Sequence, residues 1–510
     1  MSQQQPRYTT TPDYGSEKVL FRGSPAYERC RCMNPTAETP DRYPREIHLV
    51  ETAADVAAGL KRASELKTTV GIRSSGHIMN LGNLIQDGIL IDTVNLNRHV
   101  DYNPVTREIC FGPSSRVEEL GAALGSVQRF FPHGNAPTVG SGGFMLAVGQ
   151  GWFVRGWGAT SQTWIERFEV VVPDGRVLIA SRTENQDLFW AARGSGLGFF
   201  GVITRFWGRT IRASKMWERT FKFEIDDNSY EPLMTWTIER GRHTPKYGTD
   251  LNITIDYPEK YDPQYDSDEI PAGAKLHLNL NLLCYTDTIL EARTLMSAWD
   301  AIPDAVREYL LEMKPVQRRT FEEVFARKRG FLGNHRQDKW QINSIMNEPS
   351  CPVGKLLEAI KPAMLELPTR TSSVFACFCD IVPDEKDAAL SLPQDLYIST
   401  ITGSVEAQSK PALWDHMRDR YQRAFHVAVG QYITEIDMNN ETANVRLCLA
   451  LACIATETNH RTQTRVLSDT ALARFLKIRE KYDPQGLFPN YKAIVRSHAK
   501  MDKLDSLAKL

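Results

Sequence analysis

Between Arg45 and Arg212 short apolar runs alternate with glycine turns, the pattern of strands packed into a sheet. The runs predict strands at 69–72, 88–91, 168–172, 176–180 and 201–206. Apolar residues at three- and four-residue spacing predict helices over 117–130 and 185–193. Pro173-Asp174-Gly175, between two β-branched runs, has the residues of a hairpin turn. Beyond Arg212 glycines thin out and strands lengthen. The run 276–282 alternates strictly, so its leucines should face a core and His277, Asn279 and Asn281 the other side. Similar runs at 374–379, 397–402 and 426–433, with helical stretches near 289–299 and 411–425, predict a sheet covered by helices on one face. A last helical pattern over 472–482 stops at Asp483-Pro484-Gln485-Gly486. Residues 1–45 have no periodicity and read as an arm around the body.

A chain of 510 residues with 42% hydrophobic and 24% charged positions has room for several folding units and the composition of an ordinary globular protein. Its 61 basic and 62 acidic residues nearly cancel, which argues against a polyphosphate backbone or an anionic membrane as partner. Nine scattered cysteines, an odd number, do not form a disulfide framework and fit a reducing, intracellular compartment. Cys30-Arg-Cys32 and Cys377-Phe-Cys379 space their thiols too closely for the usual zinc ligands, so no metal is expected. The first residues are polar and no run approaches about 18 apolar residues, so neither a secretory signal nor a membrane span is expected. The chain ends Ala508-Lys509-Leu510, a variant of the Ser-Lys-Leu peroxisomal address or a chance ending of a basic tail.

Three glycine-rich segments crowd into the first half. Arg73-Ser74-Ser75-Gly76-His77 follows a predicted strand, so its amides and small side chains suit a pyrophosphate. The run 137–143, followed by Gly149-Gln150-Gly151, offers a second row of accessible amides. A third, from Gly194 to Thr204, leads into a strand rather than opening a helix, which is the wrong order for a Rossmann fingerprint. Taken singly, each segment is accounted for by turn chemistry, and an isolated histidine by structural hydrogen bonding.

The ordered set Arg73-Ser-Ser-Gly-His77, Asn80-Leu-Gly82, Asp87-Gly-Ile-Leu-Ile-Asp92, Pro137-Thr-Val-Gly-Ser-Gly-Gly143, Val170-Val-Val-Pro-Asp-Gly175, Asn185-Gln-Asp-Leu-Phe-Trp-Ala-Ala-Arg-Gly194 and Phe200-Gly-Val-Ile-Thr204 resembles the FAD-linked oxidases of the vanillyl-alcohol oxidase and p-cresol methylhydroxylase fold, berberine-bridge-enzyme-like branch. Lys481-Tyr-Asp-Pro-Gln-Gly-Leu-Phe488 is similar to that branch's closing motif. The resemblance covers roughly 46–210 and 472–495.

It implies an α+β protein: a two-lobed FAD-binding domain (46–212, returning at 472–497) and an α+β substrate domain with an antiparallel sheet (213–471), between an N-terminal arm (1–45) and a tail (498–510). It places Arg73, Ser74, Ser75, Gly76, His77, Asn80 and Gly82 against the cofactor. It adds Pro137, Thr138, Val139, Gly140, Gly142, Gly143, Gly149, Gly151, Gly201, Val202, Ile203 and Asn490. His77 falls on the family's covalent attachment residue, joined to the flavin 8α-methyl carbon, which anchors the cofactor and raises its potential. Ala136 stands where many members have a cysteine for a second link, so attachment should be single. Ala147-Val148 replaces a usual Gly-Gly, and Trp164 a frequent Asn. Val139 matches a small residue that leaves room for O₂, which favours an oxidase over a dehydrogenase.

The reaction so implied needs a base near the departing proton of a small-molecule substrate. Tyr432 is the first candidate, on the expectation that a nearby cation lowers its pKa, followed by Glu435, Tyr397 and His277. Three functions follow from the resemblance. One is an oxidase of a small alcohol, amine or carbohydrate-like compound, with O₂ as acceptor and peroxide as product. The second is a secondary-metabolism flavoenzyme that closes a ring or uses another acceptor. The third is a flavin-binding protein without turnover.

Overall fold

The structure is a computed structural model and describes residues 17–34, 39–79, 82–258, 267–332, 339–405, 410–435 and 465–498. The first layer comprises β1 (Val19–Phe21), β2 (Glu46–Leu49), β3 (Val70–Arg73) and β4 (Ile89–Asp92), in the order β1-β2-β4-β3. The pairs β2–β4 and β3–β4 are parallel, which requires a crossover, supplied between β2 and β3 by the helix Ala53–Glu65. A capping box of Thr52 and Asp55 starts that helix. The sequence predicts an aperiodic arm over 1–45. In its described part Val19–Phe21 instead pairs antiparallel with β2, because Leu20, Tyr27 and Cys30 have an apolar face to bury against Ile47 and Leu90.

The second layer holds β5 (Asp101–Asn103), β6 (Glu108–Phe111), β8 (Ile165–Val171), β9 (Val177–Ser181) and β10 (Val202–Arg209), in the antiparallel order β5-β6-β10-β8-β9. Between β6 and β8 in the chain, β7 (Arg129–Phe130) pairs separately with β11 (Ile211–Arg212). The helix expected over 117–130 therefore ends at Ser126. Gln128 takes φ 53° and the chain reverses into β7. The helix Asp469–Tyr482 packs into the same core, with Phe475 against Phe200 at 5.4 Å between ring centroids. Val70 N–H then donates to Leu487 O at 2.8 Å, hydrogen-bonding the returning chain to β3.

The third layer is one eight-stranded sheet of β12 (Lys215–Ile225), β13 (Thr249–Asp256), β14 (Leu276–Thr286), β15 (Leu310–Arg319), β16 (Lys339–Asn347), β17 (Ser373–Ile381), β18 (Gln394–Ser404) and β19 (Ala428–Gly430). Its order is β15-β12-β14-β13-β17-β18-β16-β19, and every pair is antiparallel. Alternation along β14 has the expected consequence. Leu276, Leu278, Leu280 and Leu282 enter a core with helical residues such as Leu233 and Leu356, while Asn281 faces the opposite side. Of the strand predicted over 426–433 only Ala428–Gly430 pairs, with β16. Gly430 is pressed against the chain at Arg465, whose carbonyl oxygen a Cβ would meet at 2.2 Å, and the following residues turn inward.

Among the described residues no helix is long and apolar enough to cross a membrane. The C-terminal tripeptide lies outside the described residues.

The closing motif has a physical reason. Asp483 is fully buried, and its carboxylate accepts from Leu487 N–H at 2.8 Å and Phe488 N–H at 3.1 Å, shaping the turn in which Gly486 takes φ 70°. Asp483→Ala should lower unfolding stability by about 2–3 kcal/mol in a urea titration, since it leaves both amides buried without an acceptor.

Candidate functional site

A cavity of about 720 Å³ lies between the glycine-rich segments and the open face of the eight-stranded sheet. Three chain segments build its first wall. Arg73 ends β3 with its guanidinium turned away from the cavity: Nε donates to Asp92 Oδ2 at 2.9 Å and a terminal nitrogen to Cys30 O at 2.7 Å. Arg73 is therefore available to a ligand only through its backbone. Gly76 takes φ 73° in the turn that follows.

The neighbouring segment is tied to this loop. Gly140 N–H donates to Ser75 Oγ at 2.8 Å, and a Cβ on Gly140 would meet that oxygen at 2.6 Å, so only glycine permits the approach. Gly143 differs, because a Cβ there would meet nothing within 4 Å. His77 lies beside both segments, with Nε2 3.1 Å from Thr138 Oγ1. Burial, aided by the Arg116 charge, lowers its pKa to about 4, so the ring is neutral at physiological pH. The returning chain completes the wall with Pro489 and Asn490, whose amide donates to Gly82 O at 2.9 Å.

Of the residues singled out from sequence, Arg73, Ser74, Ser75, Gly76, His77, Val139, Gly140, Gly142, Gly143, Gly201, Ile203 and Asn490 line the cavity. Gly82, Pro137, Thr138 and Val202 do not line it and are sequence neighbours of residues that do. Gly149 and Gly151 do not line it; they pack against Thr160, and Gly149 also against Phe144. Asn80 lies outside the described residues. Trp164 is in the core, donating to Trp157 O at 3.0 Å, and does not reach the cavity. Val148, in place of a glycine, sits at φ 82°, a costly conformation for a β-branched side chain.

The opposite wall brings three of the four candidate bases together. Tyr397 on β18 donates its hydroxyl to Glu435, and the Tyr432 ring stands edge-on to Tyr397 at 5.6 Å. Burial pushes Glu435 up to about 7, against the opposing effect of the Tyr397 hydrogen bond. Tyr432 corrects the expectation of a phenol made acidic by a cation. Burial, reinforced by the charge of Glu435, raises its pKa, and its hydroxyl donates to Ala147 O at 3.0 Å. His277 stands near the far end of β14, opposite Glu224 and Asp256, and does not line the cavity.

Several groups in or beside the cavity were not singled out from the sequence. Lys328, on the helix Phe321–Leu332, lies 5.2 Å over the Trp152 ring; burial lowers its pKa to about 8 despite the neighbouring charge of Asp250. Asp250 is itself raised to about 6 by burial. Gln150 crosses between the walls and donates to Gln394 Oε1 at 2.5 Å. No local motif marks Lys328 or Asp250, and the Gly149-Gln150-Gly151 run pointed to backbone amides rather than to the Gln150 side chain. The alternation of β13 was the one available signal, since it places Asp250 and Asn252 on the face opposite Leu251 and Ile253.

Residues 44–181 match the family described as FAD binding domain. The chain is 34% identical over 222 residues to the FAD-linked oxidoreductase ptmO of Penicillium ochrochloron, which covers 43% of this chain and 48% of that protein. It is 31% identical over 196 residues to a xylooligosaccharide oxidase of Thermothelomyces thermophilus, covering 38% and 37%. The chain thus spans about half or less of the length of these curated relatives. The structure of 6-hydroxy-D-nicotine oxidase from Arthrobacter nicotinovorans superposes with a TM-score of 0.73 at 16% identity, covering 94% of this chain and 97% of that one. The expected α+β architecture of the vanillyl-alcohol oxidase type is borne out, as is the resemblance to FAD-linked oxidases.

The Arg73–Asp92 pair supports this wall from behind. Arg73→Met, which strands a fully buried carboxylate, should cost about 3–5 kcal/mol in chemical unfolding, and adding Asp92→Leu should recover most of that loss.

Proposed function

We propose that the chain is an FAD-dependent oxidoreductase acting as an oxidase of a small organic alcohol, amine or carbohydrate-like compound, with O₂ as acceptor. In this reading 46–212 and 472–497 form the flavin domain, 213–471 the substrate domain, 1–45 an arm and 498–510 a tail with a peroxisomal address. The observation that carries it is one cavity with a neutral imidazole on its glycine-lined wall and a buried tyrosine–carboxylate pair on the other.

The residues fit FAD. Asn83 lines the cavity with its Oδ1 buried and without a hydrogen-bond partner, and Gly143 leaves open a space that a side chain would fill. Arg73 to His77, Val139, Gly140, Gly142, Gly143, Gly201, Ile203 and Asn490 would hold the cofactor. When bound, FAD supplies the two-electron acceptor for the substrate's C–H bond. His77, kept neutral by burial, retains the lone pair that a single link to the flavin 8α carbon requires. Ala136 lines the same cavity and offers no second nucleophile.

Tyr397 and Glu435 handle the substrate proton. A substrate hydroxyl or amine that donates to the Tyr397 oxygen lets the phenol pass its own proton along the existing hydrogen bond to Glu435. Tyr432, already donating to Ala147 O, closes the wall and positions the Tyr397 ring. Glu435 must be ionised to receive the proton, so the rate rises with pH through about 7. The carbohydrate option draws support from the xylooligosaccharide oxidase among the relatives.

A panel of alcohols, amines and sugars, assayed for hydrogen peroxide, tests the reading; absence of peroxide with every compound contradicts it. Glu435→Gln should lower kcat by roughly 10²–10⁴-fold and abolish the rise near pH 7. After anaerobic reduction, rapid reoxidation in air is expected, while slow reoxidation would make the protein a dehydrogenase.

A further inference from the structure

Cys377 and Cys379 have no part in the proposed proton transfer, yet they form an unusual feature of the cavity wall. Their Sγ atoms lie 3.7 Å apart, within thiol hydrogen-bond distance, and both side chains are buried. Alternate residues of a regular strand point the same way but stand too far apart for such contact. Here β17 is irregular. Its pairing with β18 runs in register to Phe378, then slips before Ile381, and Asp380 takes φ 49°. The slip leaves Cys379 without a ladder partner on β18 and turns its thiol back toward Cys377, whose carbonyl oxygen lies 3.8 Å from Cys379 Sγ.

Cys377 reaches the cavity itself. It lines the space and stands opposite Tyr397 in the β17–β18 register and Asn252 in the β13–β17 register. The Lys328 ammonium is close enough for its charge to interact with the Cys377 sulfur. A small uncharged oxidant admitted to the cavity therefore meets one thiol directly and finds a second behind it.

We propose that Cys377 and Cys379 are a peroxide-oxidised thiol pair, a modification site that converts to an intrachain disulfide in the cavity wall. The Cys377 sulfur attacks one oxygen of hydrogen peroxide, the O–O bond breaks, and the departing hydroxide takes up a proton and leaves as water. The Cys379 sulfur then attacks the resulting sulfenic acid, the S–S bond forms, the S–OH bond breaks and a second water leaves. Two thiols lose two electrons and one peroxide gains them. Closure requires the sulfurs to approach from 3.7 Å to about 2.05 Å. The peroxide source rests on the proposed oxidase activity, but the thiol chemistry does not, because added peroxide serves equally well.

Peptide mapping of the purified full-length protein after treatment with hydrogen peroxide tests the pair. Cys284, buried in the core on the sheet's other face, is the internal reference. The expected result is a peptide spanning both cysteines that is lighter by two hydrogens, restored by dithiothreitol, and formed several-fold faster than any oxidation of Cys284. In Cys379→Ser the first step should stop at sulfenic acid, which dimedone traps on Cys377. Cys377 free of modification in both proteins, or oxidised no faster than Cys284, overturns the proposal. A disulfide formed with added peroxide but not during turnover with the substrate panel leaves the pair intact and counts against the oxidase reading.

Discussion

A fully buried ion pair underlies the glycine-lined wall of the cavity. Arg73 and Asp92 are the last residues of adjacent parallel strands, and they stand opposite one another in register. Neither charge reaches solvent, so the pair is tolerated only because the guanidinium also meets the Cys30 carbonyl and thiol, and because Asp92 accepts from Val94 N–H at 2.9 Å. The pair fixes where β3 ends and how the next four residues leave it. Ser75 then meets Gly140, His77 meets Thr138, and two glycine segments distant in sequence become one surface. The loop is thus positioned from behind, which leaves its front free for a ligand.

The opposite wall works by desolvation. A broad sheet contributes few charges to the cavity, and burial brings those nearby into the range where protons move at physiological pH. Glu435 rises to about 7, Asp250 to about 6, and Lys328 falls to about 8. Tyr397 shares a hydrogen bond with Glu435, so the tyrosine and the carboxylate act as one unit. The walls also support each other directly: Tyr432 donates across the gap to Ala147 O, and Gln150 meets Gln394. Ala147 immediately precedes Val148, whose left-handed backbone is sustained in part by Ser161, which donates through both N–H and Oγ to Val148 O.

Much of the architecture was legible because it follows from local pattern. The strict alternation of 276–282 separated the two faces of β14, and Asp483-Pro484-Gln485-Gly486 marked a true helix end. Other features depend on pairings distant in sequence. Val19–Phe21 becomes a strand only because β2 has an unpaired edge, and the helix over 117–130 stops early because Ile211 and Arg212 wait as partners for β7. The site divides in the same way. Glycine loops carry their own signature, so His77 and its neighbours could be placed, whereas the base depends on which strand residues a sheet aims at one point. Tyr397 and Glu435 therefore stood behind Tyr432 as candidates, His277 was placed on the right face but too far along it, and Lys328 gave no signal.

The central claim is that His77 carries the flavin through a single covalent bond. Precipitating the purified protein with acid and collecting the polypeptide tests it most directly. Yellow colour should remain with the wild-type precipitate and pass into the supernatant for His77→Ala. Colour released from the wild type, or retained by the variant, would contradict the account.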